Sequence, residues 1–512
     1  MLLLGFMLSG CVADAPRSVP ADTLTSLDDS AVSGHDSGVE QIGGGPDPTD
    51  AWFGDDAVRI IAIELDDAAI DALHAAPDAY VSGDLTVDGT EYGPVGVRLK
   101  GNGSFEPINK KPSFRLKLDR DQEGLLIDGE RRILLHNFHW DAGRVSEYLA
   151  YGFFREVGLP APRVGYAEVT VSGEPYGFYS VIEDMDERFL ARWWDDNDGN
   201  LYEGSGDWTN ALYWELAEPG EPADGSDAWE LALAADSDDP LAALEPLLDT
   251  EQVLRFIAAE RVIAHHDSFT GNLNNYRMYR DPQTGLWSAL PWSTDAAWGW
   301  IWHQPYHSVD GRVYYPCGDY WPDPADYHTS LYAAACEADS DCMAALLEQV
   351  IDLQGALNDF DLPARADALR SFVAPWVEAD SRSGIPAEDF APASDCFYDW
   401  AADRVGAIQH YLDRLESGCD VRTDQDIYAE GAPITISFDH AQGDSDDWVG
   451  IFRDDKLIDW VWTSGSRERM HHRTFTAELT FEGLDAGLYE AQLHFDGTDR
   501  KTVCGRAAFA VQ

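Results

Sequence analysis

Basic residues are scarce in this chain: 35 Lys and Arg stand against 93 Asp and Glu, giving a formal net charge of -58 over 512 residues. A surface of that sign repels phosphate backbones and anionic headgroups, which argues against nucleic acid as a partner and suits a solvated, extracellular setting. No CxxC pair occurs, which argues against a structural zinc site. No internal repeat is evident, and after the first residues no stretch is apolar for long enough to form a transmembrane helix. Core-forming residues are plentiful, at 45% hydrophobic and 12% aromatic. A chain of this length exceeds one ordinary core, so two or more domains are expected.

The N-terminal run from Met1 to Leu8 is too short to span a bilayer and ends in Leu8-Ser9-Gly10-Cys11. It resembles a bacterial lipoprotein signal over residues 1–11, with Cys11 as the lipidated residue after cleavage, although no basic residue precedes it. That resemblance implies an extracytoplasmic protein held at the membrane by a lipid anchor alone. Setting Cys11 aside leaves Cys317, Cys336, Cys342, Cys396, Cys419 and Cys504. An even number in an exported chain favours disulfides, and six cysteines allow 15 pairings.

Residues 12–50 are rich in Ser, Asp, Gly and Pro, the composition of a flexible tether. From 51 to 419 strand-like and helix-like patterns mix, which predicts an α+β domain. Val97 to Lys100 and Ser113 to Leu118 alternate around a glycine-containing loop and read as a paired hairpin. Ala142 to Gly158 reads as a helix, Val164 to Val171 and Phe178 to Ile182 as strands around Ser172-Gly173-Glu174-Pro175, and Asp249 or Thr250 as the cap of a helix reaching about Ala264. From 420 to 512 six short strand candidates separated by turn signals predict a small antiparallel β-sandwich: 434–438, 448–453, 457–462, 475–481, 488–495 and 507–511.

Chemistry concentrates between His266 and Asp295. An Asp at the end of a helix, Asp267, is followed by Asn272 and Asn275; a hairpin around Asp281-Pro282-Gln283-Thr284-Gly285 then delivers Asp295. Phosphoryl transfer needs one carboxylate to orient the attacking hydroxyl and accept its proton, and a second, with an amide, to hold Mg²⁺ against the phosphates. Asp267 is the candidate base, Asp295 the principal metal ligand, and Asn272 or Asn275 a further ligand. Asp-after-helix and Asp-after-strand also occur as ordinary caps and turns. Trp298, Trp300 and Trp302 alternate as a packed strand face or an aromatic lining would, and the pairs His265-His266 and His471-His472 point in different directions on regular elements.

Seven blocks in order resemble the CotH family of atypical kinases: 98–104 (Arg-Leu-Lys-Gly-Asn-Gly-Ser), 110–118, 141–144 (Asp-Ala-Gly-Arg), 158–162, 173–183, 199–203 and 267–299. The resemblance implies a two-lobed, atypical protein-kinase-like domain followed by the sandwich, binding ATP and Mg (or Mn) and phosphorylating Ser or Thr on envelope or secreted proteins. It further implies that Lys111 or Lys117 contacts the phosphates. Glu183 is expected to pair with that lysine or to sit near the adenine. Arg144 is a candidate phosphate clamp, or else the partner of Asp141 or Glu147. One position departs from the family pattern: Ser293 stands where an Asp is usual, so a catalytically silent adhesin or scaffold is a rival reading. A carbohydrate-binding surface protein using the tryptophans and the sandwich is another.

Overall fold

The computed structural model describes residues 47–298, 306–307, 313–314, 330–384, 387, 390–417, 420–439, 447–453, 456–465, 476–494 and 503–512. Cys11, Trp300, Trp302, His471-His472 and most of the expected tether lie outside the described residues. Among the described residues no helix is long and apolar enough to cross a membrane.

The first region is a barrel. Strands β1 (Val58–Glu64), β2 (Val81–Val87), β3 (Thr90–Lys100), β4 (Ser113–Lys117), β5 (Arg132–His136), β6 (Val164–Val171) and β7 (Glu174–Ile182) close in the order β1-β2-β3-β4-β5-β7-β6. Closure comes from the parallel pair β1 and β6; the other neighbours are antiparallel. The alternation around the glycine loop forms the expected pair, with Leu99 opposite Phe114 and Lys100 opposite Ser113. Because successive strand side chains point to opposite faces, burying Leu99, Phe114 and Leu116 in the barrel turns Lys100 outward, away from that apolar interior. Ser172 and Gly173 both take positive φ at the tight β6–β7 turn, which a two-residue hairpin of this twist requires.

Two helices belong to this region, α1 (Asp67–Ala75) and α2 (Ser146–Glu156), the latter between β5 and β6. Helix α2 starts four residues later than the apolar periodicity suggests. The Asp141 carboxylate accepts the Ser146 N–H at 2.8 Å, and Arg144 sits at φ +59°, so the preceding residues form a turn rather than a helical one.

The second region packs a sheet against helices. Strands β8 (Leu201–Gly204), β9 (Glu215–Glu218), β10 (Tyr276–Arg280) and β11 (Trp287–Pro291) lie in the order β11-β10-β8-β9. The helices are α3 (Glu187–Trp193), α4 (Ser226–Ala235), α5 (Pro240–Leu244), α6 (Thr250–Val262), α7 (Phe269–Asn272), α8 (Leu331–Ala338), α9 (Ser340–Phe360), α10 (Leu362–Ala379) and α11 (Phe390–Ser417). Asp249 caps α6 through the Gln252 N–H, and Val253, Ile257 and Ala264 are buried along it. A disulfide joins Cys336 and Cys342 where α8 turns into α9, and Cys504 is also disulfide-bonded. The core of this region runs through both faces of α2 and α6 and is distinct from the barrel interior.

Two dipeptide strands, β12 (Tyr306–His307) and β13 (Val313–Tyr314), pair antiparallel. The C-terminal region then folds into two sheets around a core of its own. One holds β14 (Asp420–Thr423), β16 (Ile434–Asp439) and β19 (Ala477–Phe481), in the order β14-β16-β19. The other holds β15 (Ile427–Tyr428), β17 (Trp448–Arg453), β18 (Lys456–Trp462), β20 (Gly487–His494) and β21 (Val503–Val511), in the order β15-β21-β20-β17-β18. All six expected strands occur. The expected purely antiparallel arrangement needs one correction, because β15 runs parallel to β21. Strands β14 and β15 carry too few residues to show an alternation.

Candidate active site

The Asp267 loop begins where α6 ends. Ala264 takes φ +49° and turns the chain out of the helix, His265 is buried, and Ser268 caps the short α7 by accepting the Gly271 N–H at 3.1 Å. Gly271 is required by close approach: a Cβ there would lie 2.2 Å from the His266 carbonyl oxygen. Glu260, buried on α6, staples the loop by accepting the Phe269 and Thr270 N–H groups at 3.2 and 3.0 Å and the Thr270 hydroxyl at 2.7 Å. Burial raises its carboxyl to about 7 against these bonds.

The Asp267 carboxylate is the hub of the loop. It accepts the side-chain amides of Asn272 at 2.7 Å, of Asn274 at 3.2 and 3.3 Å, and of Asn275 at 2.7 Å. The expected Asp267, Asn272 and Asn275 thus converge, and Asn274 joins them. From Asn275 the β10–β11 hairpin runs out and back in regular register, Tyr276 opposite Pro291, and the Trp292 N–H closes onto the Asn275 carbonyl at 3.2 Å. Asp295 follows in a single 3-10 turn, Thr294–Ala296.

A backbone bond places the two acids together: the His266 N–H donates to the Ala296 carbonyl at 3.2 Å. His266 adjoins Asp267 and Ala296 adjoins Asp295, so a loop and a post-hairpin turn 28 positions apart in the chain are stitched side by side. The carboxyl of Asp295 is pushed well above the ordinary range by burial first, then by the charges of Glu147, Asp267 and Asp141; the Ser293 hydroxyl, donating at 3.2 Å, works the other way. Helix α2 docks on the same turn. The Ser146 hydroxyl donates to the Thr294 carbonyl at 3.2 Å, and the buried Trp298 indole donates to the Ser146 carbonyl at 3.2 Å, its ring packed edge-on to Phe153, Phe397 and Trp400.

That docking brings Glu147, in the first turn of α2, into the cluster. Its carboxylate contacts His136 Nδ1 at 3.1 and 3.2 Å and accepts the Ser180 hydroxyl at 3.2 Å, while Lys100 Nζ contacts the opposite ring nitrogen, His136 Nε2. Burial lowers the Lys100 ammonium to about 8, opposed by the charges of Glu147 and Glu203. Pattern reading did not single out Lys100, and it named Glu147 only as a possible partner of Arg144. Lys100 stands inside the quoted block at 98–104, as the last strand residue before the glycine loop, and that placement was the available signal.

The other expected residues lie elsewhere. Lys111 is buried in an ion pair with Asp380 at 2.5 Å and donates to the Phe178 carbonyl at 2.7 Å, so its ammonium is committed to the start of the loop after α10. Lys117 ends β4 four residues beyond Ser113, the partner of Lys100, which sets it about 13 Å along the strand. Arg144 is buried away from the Asp267 loop: its guanidinium donates to the Phe138 and Asp141 carbonyls and, at 2.6 Å, to Ser383, with the charges of Asp141 and Asp380 beside it. Glu183 faces Arg163, at 2.7 Å, and Arg192, not a lysine. Arg163 reaches it through the β6–β7 pairing and Arg192 from helix α3.

A divalent cation fits this chemistry. The buried Asp295 carboxyl lies among the charges of Glu147, Asp267 and Asp141, and the available donors, two carboxylates and asparagine amide oxygens, are hard ligands. Among the described residues no group of three His, Cys, Asp or Glu side chains converges on one metal position.

Comparison with known proteins supplies a family. A family model described as CotH kinase protein matches residues 97–405. Inner spore coat protein H of Bacillus subtilis is 27% identical over 220 residues, covering 40% of this chain and 59% of the relative. Invasin CotH2 of Rhizopus delemar is 23% identical over 356 residues, covering 64% of this chain and 58% of the relative. The chain thus spans about three-fifths of the length of these curated relatives. Among solved structures, the Helicobacter pylori proinflammatory kinase CtkA is matched over 60% of this chain and 96% of its own at 11% identity, with a TM-score of 0.25, too low to carry an argument.

Proposed function

The chain belongs to the CotH kinase family, and from that premise we propose that it transfers the γ-phosphoryl group of ATP to a Ser or Thr hydroxyl of a protein outside the cytoplasm. The observation that carries the reading is the His266–Ala296 backbone bond, which sets Asp267 beside Asp295. In this reading Asp267 orients the acceptor hydroxyl and takes its proton, fixed in place by three asparagine amides. The new bond forms between that oxygen and the γ-phosphorus as the bond to the β-phosphate oxygen breaks. Asp295, with Asn272 or Asn275, is the place for Mg²⁺ or Mn²⁺, which when bound would neutralise charge on the phosphate oxygens. Lys100 supplies a cation for the phosphates, held from behind by Glu147 through His136.

The test is incubation of the full chain with labelled ATP and Mg²⁺ or Mn²⁺, comparing wild type with Asp267→Ala and Asp295→Ala. Label on wild type and on neither variant is expected; equal label on all three removes the enzyme reading. The rival, a silent scaffold, is favoured by one observation: Ser293 contributes a hydroxyl to Asp295 at a position where a carboxylate would add a second metal ligand. Absence of label from wild type, with nucleotide still bound, would select it. The lipid anchor at Cys11 belongs to the same proposal and is read by incorporation of labelled fatty acid, which Cys11→Ser should abolish.

A further inference from the structure

A direct contact between a strand lysine and a helix glutamate would place ammonium against carboxylate. Here an imidazole stands between them. His136 ends β5, Lys100 ends β3 and Glu147 opens α2, so three elements meet on one buried ring. An ammonium can only donate, so His136 Nε2 accepts from Lys100, and the ring's hydrogen must sit on Nδ1, where it is donated to Glu147 at 3.1 and 3.2 Å. Glu147 is fixed in turn by the Ser180 hydroxyl on β7, the residue directly opposite His136 in the β5–β7 register. On the far side the Lys100 ammonium lies 5.7 Å from the centre of the Trp292 ring, which immediately follows β11 and precedes the Asp295 turn. The chain Ser180, Glu147, His136, Lys100 therefore runs from the barrel wall to the cluster, and each link has one donor and one acceptor.

Resting on the phosphotransferase reading, we propose that neutral His136 is the positioning residue that aims Lys100 at the nucleotide phosphates, coupling the α2 helix to the β3 lysine. A lone lysine at the end of a strand has four rotatable bonds; an acceptor at its tip removes that freedom before nucleotide binds. A ring that both donates and accepts also transmits the position of α2 to Lys100, so displacement of α2 would release the ammonium.

The experiment is titration of the full chain, with Mg²⁺, by a fluorescent ATP analogue, alongside the dependence of phosphoryl transfer on ATP concentration. His136→Leu removes both hydrogen bonds at similar volume and is expected to weaken analogue binding about tenfold, raising KM for ATP more than it lowers kcat. His136→Gln, whose amide offers one donor and one acceptor, should recover to within about threefold of wild type. Should the Leu variant not fold, His136→Asn reads the same contact: its amide can reach the Glu147 side but has no atom at the Nε2 position, so it should bind as weakly as expected of Leu. Equal binding by wild type, Leu and Asn, or no recovery with Gln in a folded protein, overturns the inference. Wild type that binds no analogue overturns the phosphotransferase reading itself and this inference with it, whereas wild type and Leu binding alike sinks the inference alone.

Discussion

The barrel-and-helix region and the C-terminal sandwich are built by opposite rules for charge. Among the described residues the first buries Glu130, Asp141, Glu147, Asp184, Asp186, Glu260, Arg144, Arg261, Lys111 and Asp380, among others, while in the sandwich the buried acidic and basic side chains are Asp447 and His494. Taking a carboxylate or a guanidinium out of water costs several kcal/mol, and the attraction of a partner offsets that only with good geometry, so such groups are weak contributors to stability. The sandwich core of Ile434, Ile436, Phe438, Val449, Ile451 and their neighbours is what apolar burial alone produces. The difference is one of placement: Glu147 and Asp141 gather with Asp295 where α2 docks on the turn after β11, Lys111 and Arg261 are ion-paired elsewhere with Asp380 and Glu337, and the sandwich core is almost wholly apolar.

The comparison breaks first at the two acids. Asp267→Ala or Asp295→Ala should lower phosphoryl transfer by about 10³-fold or more, as loss of a positioned base or a metal ligand does, with thermal stability of the chain little changed; a rate assay with labelled ATP and a melting curve check both halves. The converse variant lies in the sandwich. Phe438→Ala, at a fully buried position, should destabilise that region by about 3–5 kcal/mol and leave the transfer rate per folded molecule as it was, read by denaturant unfolding beside the same assay.

A smaller effect separates the regions by pH. Glu130 is raised to about 8 and Glu260 to about 7, both chiefly by burial. A carboxyl whose folded value is raised contributes stability that is intact below its unfolded value of 4.5 and is lost as pH rises through the folded value. Below pH 6.5 the buried His265 acts in reverse: lowered to about 4 mainly by burial, it stays neutral in the fold while the unfolded chain takes up a proton, which offsets part of the carboxyls' gain. Melting temperature should therefore rise steeply as pH falls from 8 to about 6.5 and more shallowly below it, where His265 opposes the two carboxyls. Hydrogen exchange of the sandwich strands should show little of this dependence; an equal dependence in both regions would erase the distinction. The smallest effect is at Ser293. Ser293→Ala removes the hydroxyl that favours ionised Asp295, so divalent-metal binding should weaken a few-fold near neutral pH, measured by calorimetric titration.

Much of this was legible before any coordinates. The Asp267 loop, the hairpin and Asp295 follow each other within one short stretch, so local turn and strand signals suffice to order them. The sandwich strands were equally plain, since alternation and turns are local properties. Lys111, Lys117, Arg144 and Glu183 were read by their place in a motif, and three of them answer instead to distant partners: Asp380, Ser383 and Arg163. Lys111 and Asp380 are separated by 269 positions, and no periodicity reaches that far.

By itself the sequence determined the β3–β4 pair, the β6–β7 hairpin, helix α6, the β10–β11 hairpin with its flanking acids, six strands of the sandwich and the sign of the net charge, because each depends on neighbours a few residues away or on composition. Only the tertiary structure decided that Glu147 joins those acids and that Lys100 is linked to Glu147 through His136. Barrel closure and the docking of α2 on the Asp295 turn set that choice, and burial then fixes which charges can be kept, since an ionised group out of water persists only where a partner has already been brought to it.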